Sequence, residues 1–525
     1  MNERTIIANG TVVDGTGAAA FAGDVVVEGD RIADILPAGS ESGCRYADAR
    51  VIDAAGCIVS PGFIDSHTHS DAYLVIEPDA PSKVTQGITT EVNGQCGGSV
   101  APRYGEARLS SDWASLLGPR LTWRSLAEYR SVLSAAKPAV NTVQFVGHNT
   151  LRSSVVGYAA RPATPGEQRR MEELLAQSLD EGGWGLTTGL IYQPGKYSTP
   201  GEVTRLAKIA ADRGGLYATH MRSEGDRILE SIDEVIALAR ETGIRAEISH
   251  LKTSGRANWE KIEAVLEKIE DAMSEGLLLG SDRYPYCAAG TDLDVVLPEW
   301  AQEGAAKAEC VRLADPTTRA RIAAEMDASG RDWSEVMIGG TWSVHTKPLS
   351  GKTVKEALQG SSLTPGGLVC EVLAADQCRT GAFFFGMSEA NLDKILAKPW
   401  IVPGSDASLR APWGPLGADH PHPRAYATMP EFYRRVRALG VSREETVARM
   451  TSVPARRFGI AGRGVICKGA FADIVVWREE EFRGEATYSA PHRFSHGVKC
   501  VMVNGDTPYK DGRFTGRRTG RFLER

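Results

Sequence analysis

Phe63-Ile64-Asp65-Ser66-His67-Thr68-His69 is a short apolar run that stops on two histidines one residue apart. A run of this length, closed by polar residues, reads as a buried strand. At a strand end, residues i and i+2 point to one side, so both imidazoles can reach one point in space. The same style recurs along the chain. Residues 87–92 precede Asn93-Gly94-Gln95-Cys96, residues 142–146 precede Gly147-His148-Asn149, and residues 185–191 lead into Tyr192. Residues 216–219 precede His220, 246–249 precede His250, 277–279 precede Asp282, and 400–403 precede Ser405-Asp406. That makes eight units.

Amphipathic helices fill the intervals. Residues 226–241 place Ile228, Leu229, Ile232, Val235, Ile236 and Ala239 at helical spacing, and Gly243 is the expected stop. Strand–helix alternation implies right-handed parallel units, and eight of them imply an α/β fold of the closed (β/α)8 TIM-like barrel type. In such a barrel the residues just past the strands face one mouth, where chemistry sits. The seventh and eighth units lie more than a hundred residues apart, so an insertion or lid with structure of its own is expected at about 287–398.

Both chain ends read differently. Residues 5–8, Asn9-Gly10, 11–13, 24–27 and 31–36 suggest short strands, with Asn-Gly as a hairpin signal. Residues 473–476 and 498–503, followed by Asn504-Gly505, repeat that style. The two ends are expected to pair into one small β-sandwich domain (1–60 plus 441–525) around a barrel spanning 61–440.

The 525 residues are 42% hydrophobic, 24% charged and 7% aromatic, which excludes a disordered chain. A net charge of -6 favours neither nucleic acid nor an anionic membrane as partner. No apolar run approaches the ~18 residues of a membrane span, and the start, MNERTIIANG, lacks a long apolar segment before its first turn. Nine cysteines without paired close spacing fit a reducing cytoplasm better than a disulfide framework.

Of ten histidines, His67, His69, His220 and His250 fall at expected strand ends, with Cys96 and Asp406 at two others. Imidazole, thiolate and carboxylate form the ligand set of zinc. Scattered ligands at a barrel mouth suit a catalytic metal rather than a structural one, which would use closely spaced Cys pairs. His420 and His422 form a second His-x-His, but flanking prolines place them in a loop. For Asp406 the structural alternative is an N-cap, which Pro412 weakens by soon interrupting any helix.

The pattern PGFIDSHTHSD (61–71) resembles the amidohydrolase superfamily. EVNGQCG around Cys96, GHNTLR from Gly147, TTGLIYQPG from Thr187, THMRSEGD around His220, EISHLK around His250 and GSDAS around Asp406 resemble the N-acyl-D-amino-acid deacylase (D-aminoacylase) family. PARRFGI and GRGVICKGAFADIVVW extend the likeness to nearly the whole chain. The resemblance implies zinc-dependent hydrolysis of N-acyl-D-amino acids to a carboxylate and a free D-amino acid. It assigns Cys96, His220 and His250 as tight zinc ligands, His67 and His69 as lining a second, weaker or empty metal position, and Asp406 as the catalytic carboxylate. Zinc lowers the pKa of bound water toward ~7, and a carboxylate beside it can carry the proton to the leaving nitrogen.

A substrate of that kind carries an α-carboxylate, so the site needs a cation. Lys252, with the strand parity of His250, is the first candidate, and Arg379 in the insertion is the second. Tyr192 and Tyr284 could add hydroxyl donors, Arg283 is a candidate for the side-chain pocket, and His148 either donates to substrate or is a core histidine. Arg222 and Glu224 are expected to brace their loop, and the basic GRRTGRFLER tail to be solvated. A cyclic amidase of the hydantoinase or dihydroorotase type would carry a bridging lysine after the fourth strand; Lys196 instead lies beyond Pro194-Gly195. A non-catalytic scaffold would have lost ligands, whereas all six metal or base positions are filled.

Overall fold

A computed structural model describes residues 4–37, 48–109 and 111–525. Cys44 lies outside the described residues. Nine short strand segments, making eight runs because 141–144 and 146–147 follow one another directly, carry the site. Ile401–Pro403, Leu279–Arg283, Arg245–Ile248, Leu216–His220, Gly185–Gly189 and Val146–Gly147 form one parallel sheet in that spatial order. Phe63–Asp65, Ile88–Asn93 and Asn141–Gln144 form another. The sheets meet at both edges. Phe145, between the 141–144 and 146–147 segments, donates its N–H to Asn93 O at 3.0 Å, and Ser66 N–H reaches Pro403 O at 3.1 Å. The eight runs thus follow one another in chain order, each bonded to the next, and the eighth returns to the first.

Helices cover the outer face for local reasons. Pro165–Asp180 starts on Thr164, whose side chain accepts from Glu167 N–H while Glu167 caps in return. Ile228–Thr242 buries Ile228, Ile232, Val235, Ile236 and Ala239, and Gly243 ends it at φ 70°. Among the described residues, no helix is long and apolar enough to cross a membrane.

The chain ends join one nine-stranded sheet. Ile474–Trp477 runs antiparallel to Ile58–Pro61, pairing Ile474 with Pro61 and Trp477 with Ile58. The expected sandwich is a single hydrogen-bonded sheet that branches where Arg4–Val12 pairs with both Arg50–Asp53 and Ile58–Pro61. The two Asn-Gly pairs behave differently. Asn504-Gly505 turns the chain between Val498–Val503 and Asp506–Lys510. Asn9-Gly10 is no hairpin; it lies inside the strand Arg4–Val12 at a register shift between Ile7 and Gly10. Asn9 takes φ 64° and donates its N–H to Asp24, while a Cβ on Gly10 would meet Val59 Cγ2 at 2.4 Å. Positive φ serves a bulge as readily as a turn.

Between the seventh and eighth strands, Ala289–Asp292, Gly381–Phe384 and Val336–Ile338 form an antiparallel sheet. Helices Ala305–Ala314, Pro316–Asp327 and Pro365–Ala375 accompany it, and Leu293, Leu313, Ile322, Met326, Val369 and Leu373 give it a core of its own.

Candidate metal centre and active site

Three of the site residues sit on unusual backbone. Cys96, His250 and Asp406 have φ of 52°, 38° and 48°, the left-handed region that non-glycine residues seldom occupy. Such conformations persist where the surroundings over-determine them, and they cluster at functional sites. Gly94 and Gly97 flank Cys96 at φ 78°; a Cβ on Gly94 would meet Phe145 O at 2.3 Å. Asp406 N–H donates to His67 O at 2.8 Å, and His250 N–H donates to Asp282 Oδ1 at 3.0 Å. The strand ends are therefore laced to one another through their backbone N–H groups.

This lacing gathers the donors. Cys96 Sγ lies 3.3 Å from His67 Nε2 and 3.3 Å from His250 Nε2. Asp406 Oδ1 is 3.5 Å from His67 Nε2 and 3.0 Å from His69 Nε2. The donor atoms of His67, Cys96, His250 and Asp406 all fall within 4.8 Å of one another, as do those of His220, Glu224 and His250. Around a tetrahedral zinc, a sulfur at ~2.3 Å and a nitrogen at ~2.0 Å stand about 3.5 Å apart. The observed spacing fits such a polyhedron. His220 adds a second sign: both its ring nitrogens are buried without a hydrogen-bond partner, although Glu224 Oε2 stands 3.5 Å from Nε2. A buried imidazole left open in this way suits a ligand. The compact foursome thus includes His67, whereas the set expected to be tight (Cys96, His220, His250) is divided between two groups that share His250.

Charge follows the same plan. Burial alone would push the Cys96 thiol up, but the His67 and His250 imidazoles draw it well below its usual range. Burial opposes ionisation of Asp406 too, yet Arg424 and His250 hold its carboxyl well below the carboxylate range. Glu224 behaves alike, with His220 and Lys252 overcoming burial. Asp406, Glu224 and the Cys96 thiol are thus held ionised.

Several residues surround this centre. Asp282 Oδ2 stands 3.1 Å from His67 Nδ1, fixing that ring. Lys252 contacts Glu224 and lies 2.8 Å from His250 Nδ1. Tyr192 stacks edge-on against His220 at 4.9 Å, its hydroxyl 3.4 Å from Thr291 Oγ1. Tyr284 is fully buried, its hydroxyl has no hydrogen-bond partner, and the Arg283 and Arg424 guanidinium carbons lie 4.1 and 4.6 Å from its ring centre.

Other candidates are occupied elsewhere. His148 opens the helix His148–Val155, and its Nε2 meets Glu202 at 2.9 Å, so it is a paired core histidine. Arg283 donates Nη2 to Tyr286 O, because Asp282 takes the inward side of the strand end. Arg379 lies over Trp342 in the insertion and donates Nε to Asp376 O. His420 and His422 engage the backbone oxygens of Tyr488 and Ala288. Arg222 does brace its loop through Glu234, but Glu224 groups with His220 and His250 as a candidate ligand.

Sequence reasoning missed Arg424. It is 5% exposed, its Nη1 is 2.8 Å from Asp406 Oδ2, and Nη2 donates to Gly290 O. Its one signal was its place two residues after His422, in a loop already singled out. Asp282 was given no role and Glu224 only that of bracing its loop, since both depend on which ring each faces.

A fold of parallel strands whose ends converge on imidazoles, a thiolate and a carboxylate defines a metal-dependent hydrolase architecture. The model of the Amidohydrolase family matches residues 50–509, and the chain belongs to that family. It is similar over 99% of its length to the N-acyl-D-glutamate deacylase (34% identity, 96% of that protein) and D-aminoacylase (34%, 97%) of Alcaligenes xylosoxydans xylosoxydans. Among solved structures, a D-aminoacylase described as defining a novel subset of amidohydrolases matches at TM-score 0.82, with 33% identity and 99% of both chains covered. N-acyl-D-glutamate deacylase from Bordetella bronchiseptica, complexed with zinc and a phosphonate mimic of the tetrahedral intermediate, matches at TM-score 0.82, with 31% identity over the full length of both chains.

Proposed function

We propose that the protein is a zinc-dependent deacylase that hydrolyses the amide bond of N-acyl-D-amino acids, releasing a carboxylate such as acetate and the free D-amino acid. The observation that carries this reading is Cys96 Sγ at 3.3 Å from two imidazole nitrogens, beside a carboxylate held ionised. The similarity to full-length deacylases supports the D preference. Cys96, His67, His250 and Asp406 would hold one ion, with His220, His250 and Glu224 offering a second position. A bound zinc supplies Lewis acidity, polarising the amide carbonyl and easing deprotonation of water. Asp406 takes the proton of the attacking water and passes it to the nitrogen, which must be protonated to leave. Arg424, held against Tyr284 beside Asp406, and Lys252 are the cations placed to receive the substrate carboxylate. Arg424 replaces Arg379 in that role.

The eight linked strands are read as a (β/α)8 barrel, with a small β domain built from both ends and an insertion between the seventh and eighth strands. The return to the β domain is drawn after Gly459 rather than at 441. Arg449 donates Nε to Ile401 O, and Phe458 packs with Ile64, Val92 and Phe145 beneath the barrel strands. Cysteine usage supports a reducing, cytoplasmic setting. Initial rates on a panel of N-acetyl-D- and N-acetyl-L-amino acids, with zinc supplied, test the activity. Acetate release from D substrates is expected; release from the L series alone, or from neither, would contradict it.

A further inference from the structure

The insertion holds the closest pair of thiols among the described residues. Cys310 sits on the helix Ala305–Ala314, and Cys378 lies 68 residues on, just past the helix Pro365–Ala375, yet their sulfurs stand 3.7 Å apart. Cys378 is held in place by its backbone: Gln377 and Cys378 both take left-handed φ, 55° and 54°, and Cys378 N–H donates to Leu373 O at 2.8 Å. A disulfide needs the sulfurs at about 2.05 Å, so a small side-chain rotation closes the gap. Cys310 is half-buried and open to a reagent, whereas Cys378 is only 5% exposed.

We propose that Cys310 and Cys378 are a reversible redox modification site, closing to an intrachain disulfide when a low-molecular-weight disulfide such as oxidised glutathione reaches the insertion. The Cys310 thiolate attacks one sulfur of oxidised glutathione, forming a mixed disulfide and expelling one glutathione thiolate. Cys378 gives up its proton to water as its sulfur becomes the second nucleophile. The Cys378 sulfur then attacks Cys310 Sγ, the Cys310–glutathione bond breaks, and the second glutathione leaves. Two protein thiols lose two electrons and the reagent gains them.

Burial, with Cys310 and Glu309 alongside, pushes the Cys378 thiol above the usual thiol range, so closure is slow at neutral pH and quickens as pH rises. The link has a structural reach. Ala305 N–H donates to Gln193 Oε1 at 3.1 Å, and Gln193 Nε2 donates to Gln302 O, tying the start of this helix to the loop after Tyr192. Closing the bond therefore fixes one wall of the mouth to the rest of the insertion.

The test uses the full-length, zinc-replete protein incubated with excess oxidised glutathione. Intact mass about 2 Da lower, a Cys310–Cys378 peptide in a non-reducing digest, and a melting temperature higher by roughly 5 °C, all reversed by dithiothreitol, are expected. Cys310→Ser should abolish all three responses. Three outcomes would each overturn the proposal: unchanged mass, glutathione retained on Cys310, or chains cross-linked through Cys467.

Discussion

The mouth of the parallel strands and the insertion beside it both bury acids and thiols, but they set them at opposite ends of the titration scale. At the mouth, each carboxylate faces a base: Asp406 faces Arg424 and His69, Glu224 faces Lys252, and Asp282 faces His67. In the insertion, burial pushes Asp294 up to about 8, with Glu309 next to it, and burial pushes Glu309 up to about 7. The thiols divide the same way, Cys96 drawn well down and Cys378 pushed up. Burial is common to both regions; what differs is how strongly neighbouring cations offset it. Asp406 and Glu224, beside imidazoles and a guanidinium or ammonium group, stay ionised and can hold a metal or carry a proton. Asp294, buried beside Glu309, instead holds its proton at neutral pH.

Removing the thiolate breaks the comparison most severely. Cys96→Ala should lose zinc, read by elemental mass spectrometry, and lower deacylase turnover by about a thousandfold or more. Arg424→Ala should raise KM about 10–100-fold through loss of a charged contact to the substrate carboxylate, while Arg379→Ala leaves KM within about twofold. Equal effects of the two would mean that the carboxylate is received elsewhere. Asp282→Asn should weaken zinc affinity about 10–100-fold in a chelator titration, because His67 loses the group that orients its ring.

The smallest effect concerns stability rather than catalysis. The raised Asp294 and Glu309 keep protons in the folded insertion that the unfolded chain releases near pH 4. Their contribution is present at low pH and is lost as pH rises toward 7–8. Asp294→Asn should flatten the fall of melting temperature between pH 5 and 8 and leave turnover unchanged. A slope identical to that of the unaltered protein would sink this reading.

The same contrast separates the site residues that are legible in the sequence from those that are not. His67, His69, Cys96, His220, His250 and Asp406 were legible because strand parity and a polar stop after an apolar run are local features. Arg424, Glu224 and Asp282 were not, because their roles depend on which neighbour each meets across the mouth, and one residue of parity decided against Arg283. His148 followed the strand-end pattern and still turned away, since Glu202 from another helix offered a buried partner. In the end sheet, Asn9-Gly10 carried a turn signal that the partner strand converted into a bulge. The insertion announced itself only by length; its antiparallel sheet and paired thiols arise from contacts tens of residues apart.

The proton carrier at the mouth is the centre of the account, and Asp406→Asn tests it most directly. Acetate release from N-acetyl-D-amino acids should be compared at equal, measured zinc occupancy. A fall of about 10²–10⁴-fold with zinc retained is predicted; turnover equal to that of the unaltered protein would contradict the assignment.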